Sequence, residues 1–130
     1  MNLHDLLRHH VAADAREEAD RCAMVRLAGE LEHPLSRDEP SAHFTASAFV
    51  VDEPSERVCL VTHVKLGRLL QPGGHVEPGD ASLEEAAMRE AREETALELA
   101  CEADHRAAIC LLAGVRGDVV TEQVVQVHSY

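Results

Sequence analysis

The residues with the clearest capacity for chemistry are three glutamates, Glu90, Glu93 and Glu94, in the run Arg89-Glu90-Ala91-Arg92-Glu93-Glu94. On an α-helix each residue turns by roughly 100°, so Glu90 and Glu94 share a face and Glu93 lies beside them. Leu83, Ala86 and Ala87 point within roughly 60° of the same direction. The most apolar side of such a helix runs directly into carboxylates, whereas an ordinary amphipathic helix places its acids opposite the apolar stripe. Clustered, partly buried carboxylates repel one another and lose hydration, and they stay ionised only beside a cation. Glutamate oxygens suit a hard cation, and Mg²⁺ prefers one or two carboxylates together with waters and substrate phosphates. The pattern implies a site for a hard divalent cation such as Mg²⁺. Arg89 is four residues from both Glu85 and Glu93, so it can clamp and orient Glu93, and Arg92 can offset further charge.

The surrounding elements must hold these acids in place. Ser82-Leu83-Glu84-Glu85 matches an S-x-x-E capping box, and no residue breaks a helix from there to Thr95. Ahead of it, Gly73 to Asp80 is a glycine-punctuated loop whose Gly-Gly pair lets backbone approach the acids closely. Leu69-Leu70-Gln71 reads as a short strand. His43 to Val51 and Arg57 to Thr62 read as longer strands joined by a turn at residues 52–56, so a β-hairpin is expected. Ala107 to Ala113 and Val119 to Val127 are apolar enough for strands, with Gly114 to Asp118 as their turn. At the N-terminal side, Leu3, Leu6, Leu7, Val11 and Ala15 predict a helix over 3–19, and Asp20 is placed to cap a second helix ending near Glu32. His33-Pro34 and the polar run to Pro40 read as a loop. The reading is therefore a helical segment, 1–32, ahead of a main domain, 40–130, of layered α/β class.

Length and charge bound the function. At 130 residues the chain fits one compact core. The formal net charge of −12, from 12 Lys plus Arg against 24 Asp plus Glu, argues against a nucleic-acid polymer or an anionic membrane as partner. An anionic small substrate is compatible if a divalent cation cancels the local repulsion. No apolar run approaches the roughly 20 residues that span a bilayer. The first residues lack the basic-then-apolar order of a signal peptide, so a cytoplasmic location is the expectation. Cys22, Cys59, Cys101 and Cys110 form no CxxC pair and read as reduced, buried thiols. His4, His9 and His10 read as surface residues.

The segment GGHVEPGDASLEEAAMREAREETAL resembles the Nudix box, G-x5-E-x7-R-E-U-x-E-E-x-G-U with U a bulky aliphatic residue. Arg89 to Glu94 fits its REUxEE core with Ala91 as a small U, Leu97 fits the last U, and Gly74 fits the opening Gly. Asp80 stands near the first Glu, but eight residues rather than seven separate it from Arg89, and the family's Gly near the helix end is Ala96 here. The resemblance implies a Nudix-type α/β/α sandwich with a mixed β-sheet, and hydrolysis of a diphosphate linkage in a small molecule by water activated through Mg²⁺ or Mn²⁺. Carried over by position, Glu90 and Glu94 would be metal ligands, Glu93 a ligand or the water-activating base, the Gly74 carbonyl a further ligand, and Arg89 the residue that orients the glutamates. Glu122 is a second choice for a base supplied by a later loop.

Outside the box, Lys65, Arg68 and Glu77 are the substrate-side candidates, the first two as phosphate partners. With Trp 0, Tyr 1 and Phe 2, stacking of a substrate base on an aromatic side chain is poorly provided for. Phe44 and Phe49 also lie on opposite faces of a regular strand. Nucleoside diphosphate conjugates, sugars and other diphosphates remain as substrate classes. Two rival readings are a catalytically silent Nudix-like module that binds a nucleotide or metabolite, and a structural domain whose acidic helix binds Mg²⁺. The sandwich can be completed by the N-terminal helices or by a second copy in a homodimer.

Overall fold

The computed structural model describes residues 2–52, 57–65, 67–101, 108–113 and 119–129, the last two stretches and Cys101 as backbone only. The turns expected within 53–56 and at 114–118, and Tyr130, lie outside the described residues.

Two helices come first, α1 (Leu3–His9) and α2 (Ala15–Glu30). Their boundary falls at His10 to Asp14 and not at Asp20, because the capping chemistry sits there. The Asp14 carboxylate accepts the Glu17 backbone N–H at 2.8 Å, and the Glu17 side chain accepts from the Ala13 N–H and binds His10 Nε2. These bonds satisfy helix-end donors that a continuous helix would leave to the preceding turn. Val11, which suggested continuity by its spacing, is 87% exposed and anchors nothing. His10 is thus a tethered group, not a free surface histidine.

The sheet is built around β1 (His43–Val51). One edge of β1 pairs antiparallel with β2 (Val58–Cys59), giving the expected hairpin through Val50 opposite Cys59. A three-residue strand β5 (Gly73–His75) pairs with the same edge, Thr45 opposite His75 and Ser47 opposite Gly73. Between them, β3 (Val61–His63) and β4 (Arg68–Leu70) form a separate two-stranded ribbon. The other edge of β1 pairs in parallel with β8 (Val119–Ser129), from His43 opposite Val120 to Val51 opposite His128. Strands β6 (Leu99–Cys101) and β7 (Ala108–Ala113) pair antiparallel with the far edge of β8. Sequence reading missed β6, which is too short to show a period.

The helix carrying the glutamates, α3 (Leu83–Thr95), lies against β1 and β5. Phe44, Ala46, Ala48 and Val50 alternate along β1 and share one core with Leu83, Ala86, Ala87, Met88 and Ala91. Alanines on both partners let the helix axis come close to the strand. Leu3, Leu7 and Met24 of the N-terminal helices belong to the same core. Among the described residues no helix is long and apolar enough to cross a membrane. Cys22 is exposed and Cys59 partly so, both free thiols, so the expectation of buried thiols fails for Cys22.

Candidate active site

The N-terminus of α3 is fixed by Ser82, whose hydroxyl accepts the Glu85 N–H at 3.1 Å, while the Glu85 carboxylate accepts the Ala81 N–H at 2.9 Å. The box of caps anticipated from S-x-x-E is present, displaced by one residue on its return bond. The C-terminus closes on Ala96 in the left-handed region, φ 55° and ψ 19°, where a side chain is disfavoured and glycine is not.

Arg89 organises the carboxylates. Its Nε and Nη2 donate to the two oxygens of Asp80 at 3.0 and 2.9 Å, a bidentate pair on a side chain only 5% exposed. Nη2 also donates to the His75 carbonyl at 2.9 Å, and Nη1 to Glu90 at 2.9 Å. Glu93, the expected partner, is the longest of these contacts at 3.4 Å. Asp80, out of the box spacing, is therefore the main clamp. The extra residue before Ser82 is absorbed in the turn where Asp80 also bonds the Glu77 backbone at both ends. These bonds hold the Asp80 carboxyl below the ordinary carboxylate range and push Arg89 higher still.

Gly74 lies directly beneath Glu90. A Cβ at Gly74 would stand 2.6 Å from the Glu90 carboxyl carbon and one at Gly73 2.4 Å from the Ser47 Cβ, so both glycines are required by close approach. The pairing of β5 decides which backbone groups face the acids. Ala48 N–H donates to the Pro72 carbonyl, so two residues on, Ala46 and Gly74 are also a bonded pair, and Gly73 turns its polar groups away from β1. Accordingly the Gly73 N–H donates to Glu94 at 3.2 Å. The backbone carbonyl on the glutamate side is that of Gly73; the carbonyl of Gly74, the expected ligand, faces Ala46.

Glu90 is 15% exposed and Glu93 60% exposed at the side chain. Burial pushes the Glu94 carboxyl up; the Gly73 N–H opposes this, Glu90 and Glu93 add to it as like charges, and nearby His63 favours the charged form. The donor set fits a hard cation in kind: carboxylate and carbonyl oxygens on one side of β5, with like charges that a cation would relieve. Among the described residues no three acidic, imidazole or thiol groups converge as they stand; Glu90 is bonded to Arg89 and Glu94 to the Gly73 N–H. The remaining candidates are scattered. Arg68 lies across β3–β4 from His63, and Lys65 is exposed in the intervening turn. Glu77 is 65% exposed and 3.9 Å from Arg89, at the fringe of the clamp. Glu122 stands within β8, opposite Thr45 and Cys110, rather than in a loop. Of the aromatics, Phe44 is buried and Phe49 is 37% exposed, as their opposite faces require.

Two residues that sequence reading passed over adjoin the clamp. His43 Nε2 and His75 Nδ1 are 3.1 Å apart, with the rings tilted by 51°. Burial lowers the His75 pKa, with His43 and Arg37 acting in the same sense and Glu90 against it. The available signal was weak: a histidine directly after Gly-Gly, and another two residues ahead of its cross-strand partner.

Comparison with known proteins bears on the fold and the family. The family model for the NUDIX domain matches residues 41–109, more than half of the chain. No curated protein matches. Among solved structures the chain is similar to a NUDIX hydrolase from Nitrosomonas europaea, with 24% identity and a TM-score of 0.56 over 68% of this chain and 60% of that one. It is similar to a C. elegans Ap4A hydrolase at 19% identity and a TM-score of 0.53, covering 68% of each chain. A binary complex of a C. elegans Ap4A hydrolase gives 19% identity and a TM-score of 0.50, over 66% and 65%. These likenesses establish a common fold, α/β with a mixed sheet, and the residues matched run from the start of β1 through the glutamate helix into β7. The chain belongs to the NUDIX domain family.

Proposed function

We propose that this protein is a metal-dependent hydrolase that cleaves a diphosphate linkage in a small molecule, a nucleoside diphosphate joined to another group or a similar compound. The observation that carries the reading is the placement of Glu90 over Gly74 and of Glu94 on the outward-facing N–H of Gly73, with Arg89, itself held by Asp80, bonded to Glu90. Glu90, Glu94 and the Gly73 carbonyl are the groups that would hold Mg²⁺ or Mn²⁺, with Glu93 beside them. When bound, the ion neutralises diphosphate charge and lowers the pKa of an attacking water. Arg89 positions the glutamates through its bonds to Asp80 and the His75 carbonyl. Glu93, solvent-facing and steadied on one oxygen by Arg89, takes the proton of the water on its other oxygen. Lys65 and Arg68 on the β3–β4 ribbon meet the substrate's outer charge.

The test is hydrolysis of a panel of nucleoside diphosphates and nucleotide sugars with Mg²⁺ or Mn²⁺, with Glu94→Gln as the control. The variant is expected to lose about 100-fold or more in kcat, the scale of removing one group that stabilises developing charge. Wild-type turnover in Glu94→Gln would sink the metal assignment. The fact that Glu90 and Glu94 are engaged within the protein also favours one alternative, a binding module without turnover. It predicts a raised melting temperature with nucleotide and no product with either ion.

A further inference from the structure

The chain from Gln71 to Gly74 is held to β1 on both sides of Gly73. Ala48 N–H donates to the Pro72 carbonyl at 2.8 Å, and Ala46 and Gly74 are a bonded pair. A further hold is made by side chains: the Ser47 hydroxyl donates to Gln71 Oε1 at 3.3 Å. These bonds bracket Gly73, whose N–H is left to Glu94 at 3.2 Å.

Ser47 stands apart from its neighbours on the strand. Ala46 and Ala48 turn into the core shared with α3, so Ser47 points to the other face of the sheet. It is 0% exposed. A hydroxyl hidden from water costs free energy unless it is bonded, whereas an alanine would bury the same backbone without that cost. Its Cβ lies directly against Gly73, since a Cβ built on Gly73 would meet it at 2.4 Å. Ser47 therefore touches the backbone of Gly73 and, through its hydroxyl, the residue that precedes the buried Pro72. Gln71 is only half-buried, and water is the alternative partner for its amide. Its bond to Ser47 fixes how the chain enters β5.

We propose that Ser47 and Gln71 are a positioning pair, whose bond on the sheet face turned away from α3 fixes the direction in which Gly73 presents its backbone to Glu94. That this backbone helps to hold a divalent cation rests on the hydrolase reading; the pair itself rests on the contacts. It acts through the main chain, as outer partners orient the groups that meet a ligand. Without the hydroxyl, Gln71 turns to water, the approach to Gly73 is held by the Pro72 carbonyl alone, and the Gly73 N–H spends less time on Glu94.

Amide hydrogen exchange by NMR and Mn²⁺ titration by electron paramagnetic resonance test this on the full chain. The proteins are wild type, Ser47→Ala, Gln71→Ala, the double variant and Val50→Ala. Ser47→Ala removes one oxygen between two alanines, so the fold is kept. Its Gly73 N–H is expected to exchange about fivefold faster, the scale of one net hydrogen bond, while the amide of Ala91 in α3 keeps its wild-type rate. The Mn²⁺ Kd should weaken about tenfold. Gln71→Ala should match these changes and the double variant should add nothing, because both remove one bond. Val50→Ala opens a cavity on the α3 side of β1; it should lower the melting temperature more and leave Gly73 exchange as it was. Unchanged Gly73 exchange in Ser47→Ala overturns the pair, as do additive losses in the double variant or the same Gly73 change in Val50→Ala. A Mn²⁺ Kd that Ser47→Ala leaves unchanged, where wild type binds the ion, overturns it too. Hydrolysis assayed in parallel separates the two readings. No Mn²⁺ binding and no turnover in any protein overturns the hydrolase, and faster Gly73 exchange in Ser47→Ala then still carries the pair. Wild-type turnover with Gly73 exchange unchanged in Ser47→Ala does the reverse.

Discussion

Asp80 shows how much one residue can decide. Its carboxylate is nearly buried and carries the bidentate hold on Arg89, and Arg89 in turn carries Glu90 and reaches Glu93. Asp80→Asn keeps the shape but leaves the guanidinium with a neutral partner, and is expected to cost about 1–3 kcal/mol, read by urea denaturation at pH 7. Because the folded state lowers the Asp80 pKa from its ordinary 3.8, the ionised form is the one folding favours. That stability is fully present above pH 3.8 and is lost as pH falls through the lowered folded value. Urea melts across this acidic window should be steeper in pH for wild type than for Asp80→Asn; identical slopes would remove the clamp from the account. None of this was legible from spacing, which marked Asp80 only as out of place. The glutamate run was legible because helical geometry follows from sequence separation alone. The choice of Gly73 over Gly74 was not, because it depends on which residues of β1 face β5. Nor was the imidazole pair, which is assembled from partners 32 positions apart.

At the scale of elements, α3 was the easiest to read and its end the most informative. Every local signal agreed there, from the Ser82 cap to the run of small apolar residues. The N-terminal helices were harder: apolar spacing continued through Val11, while the capping bonds of Asp14 and Glu17 stopped the helix. Capping chemistry outweighed periodicity. At the other end of α3, Ala96 takes φ 55°, a conformation that costs an L-residue with a Cβ about 1 kcal/mol relative to glycine. Ala96→Gly is expected to raise the stability by about that amount and to leave kcat unchanged, since the residue is exposed and lies past the last residue of α3. A lowered melting temperature would mean that the flexibility added to the unfolded chain outweighs the relief of strain.

At the scale of the molecule, the buried side chains of the N-terminal helices, β1 and α3 form one continuous core among the described residues. Leu7, fully buried, belongs with Phe44, Ala46 and the apolar side of α3, although more than thirty residues separate it from β1 in sequence. Leu7→Ala is expected to cost about 2–5 kcal/mol and to lower the midpoint of one cooperative transition, observed alike by far-ultraviolet circular dichroism and by loss of hydrolysis. An early separate helical transition that left hydrolysis intact would show instead that the helices and the sheet unfold as independent units.

The parallel pairing of β1 with β8 has a consequence in time. All nine residues of β1 find their partners between Val120 and His128, so the strand that lies behind the glutamate helix acquires its second neighbour only after everything between 52 and 119 has been made. Long-range parallel contacts of this kind close late, because the loop entropy must be met before they form. During synthesis, the β1 edge toward β8 waits as open backbone, with the hairpin, the Gly-Gly strand and α3 already available to it on the other side. Assembly of the glutamate side precedes closure of the sheet, and a nascent chain halted before β8 would expose that edge to pairing with another chain.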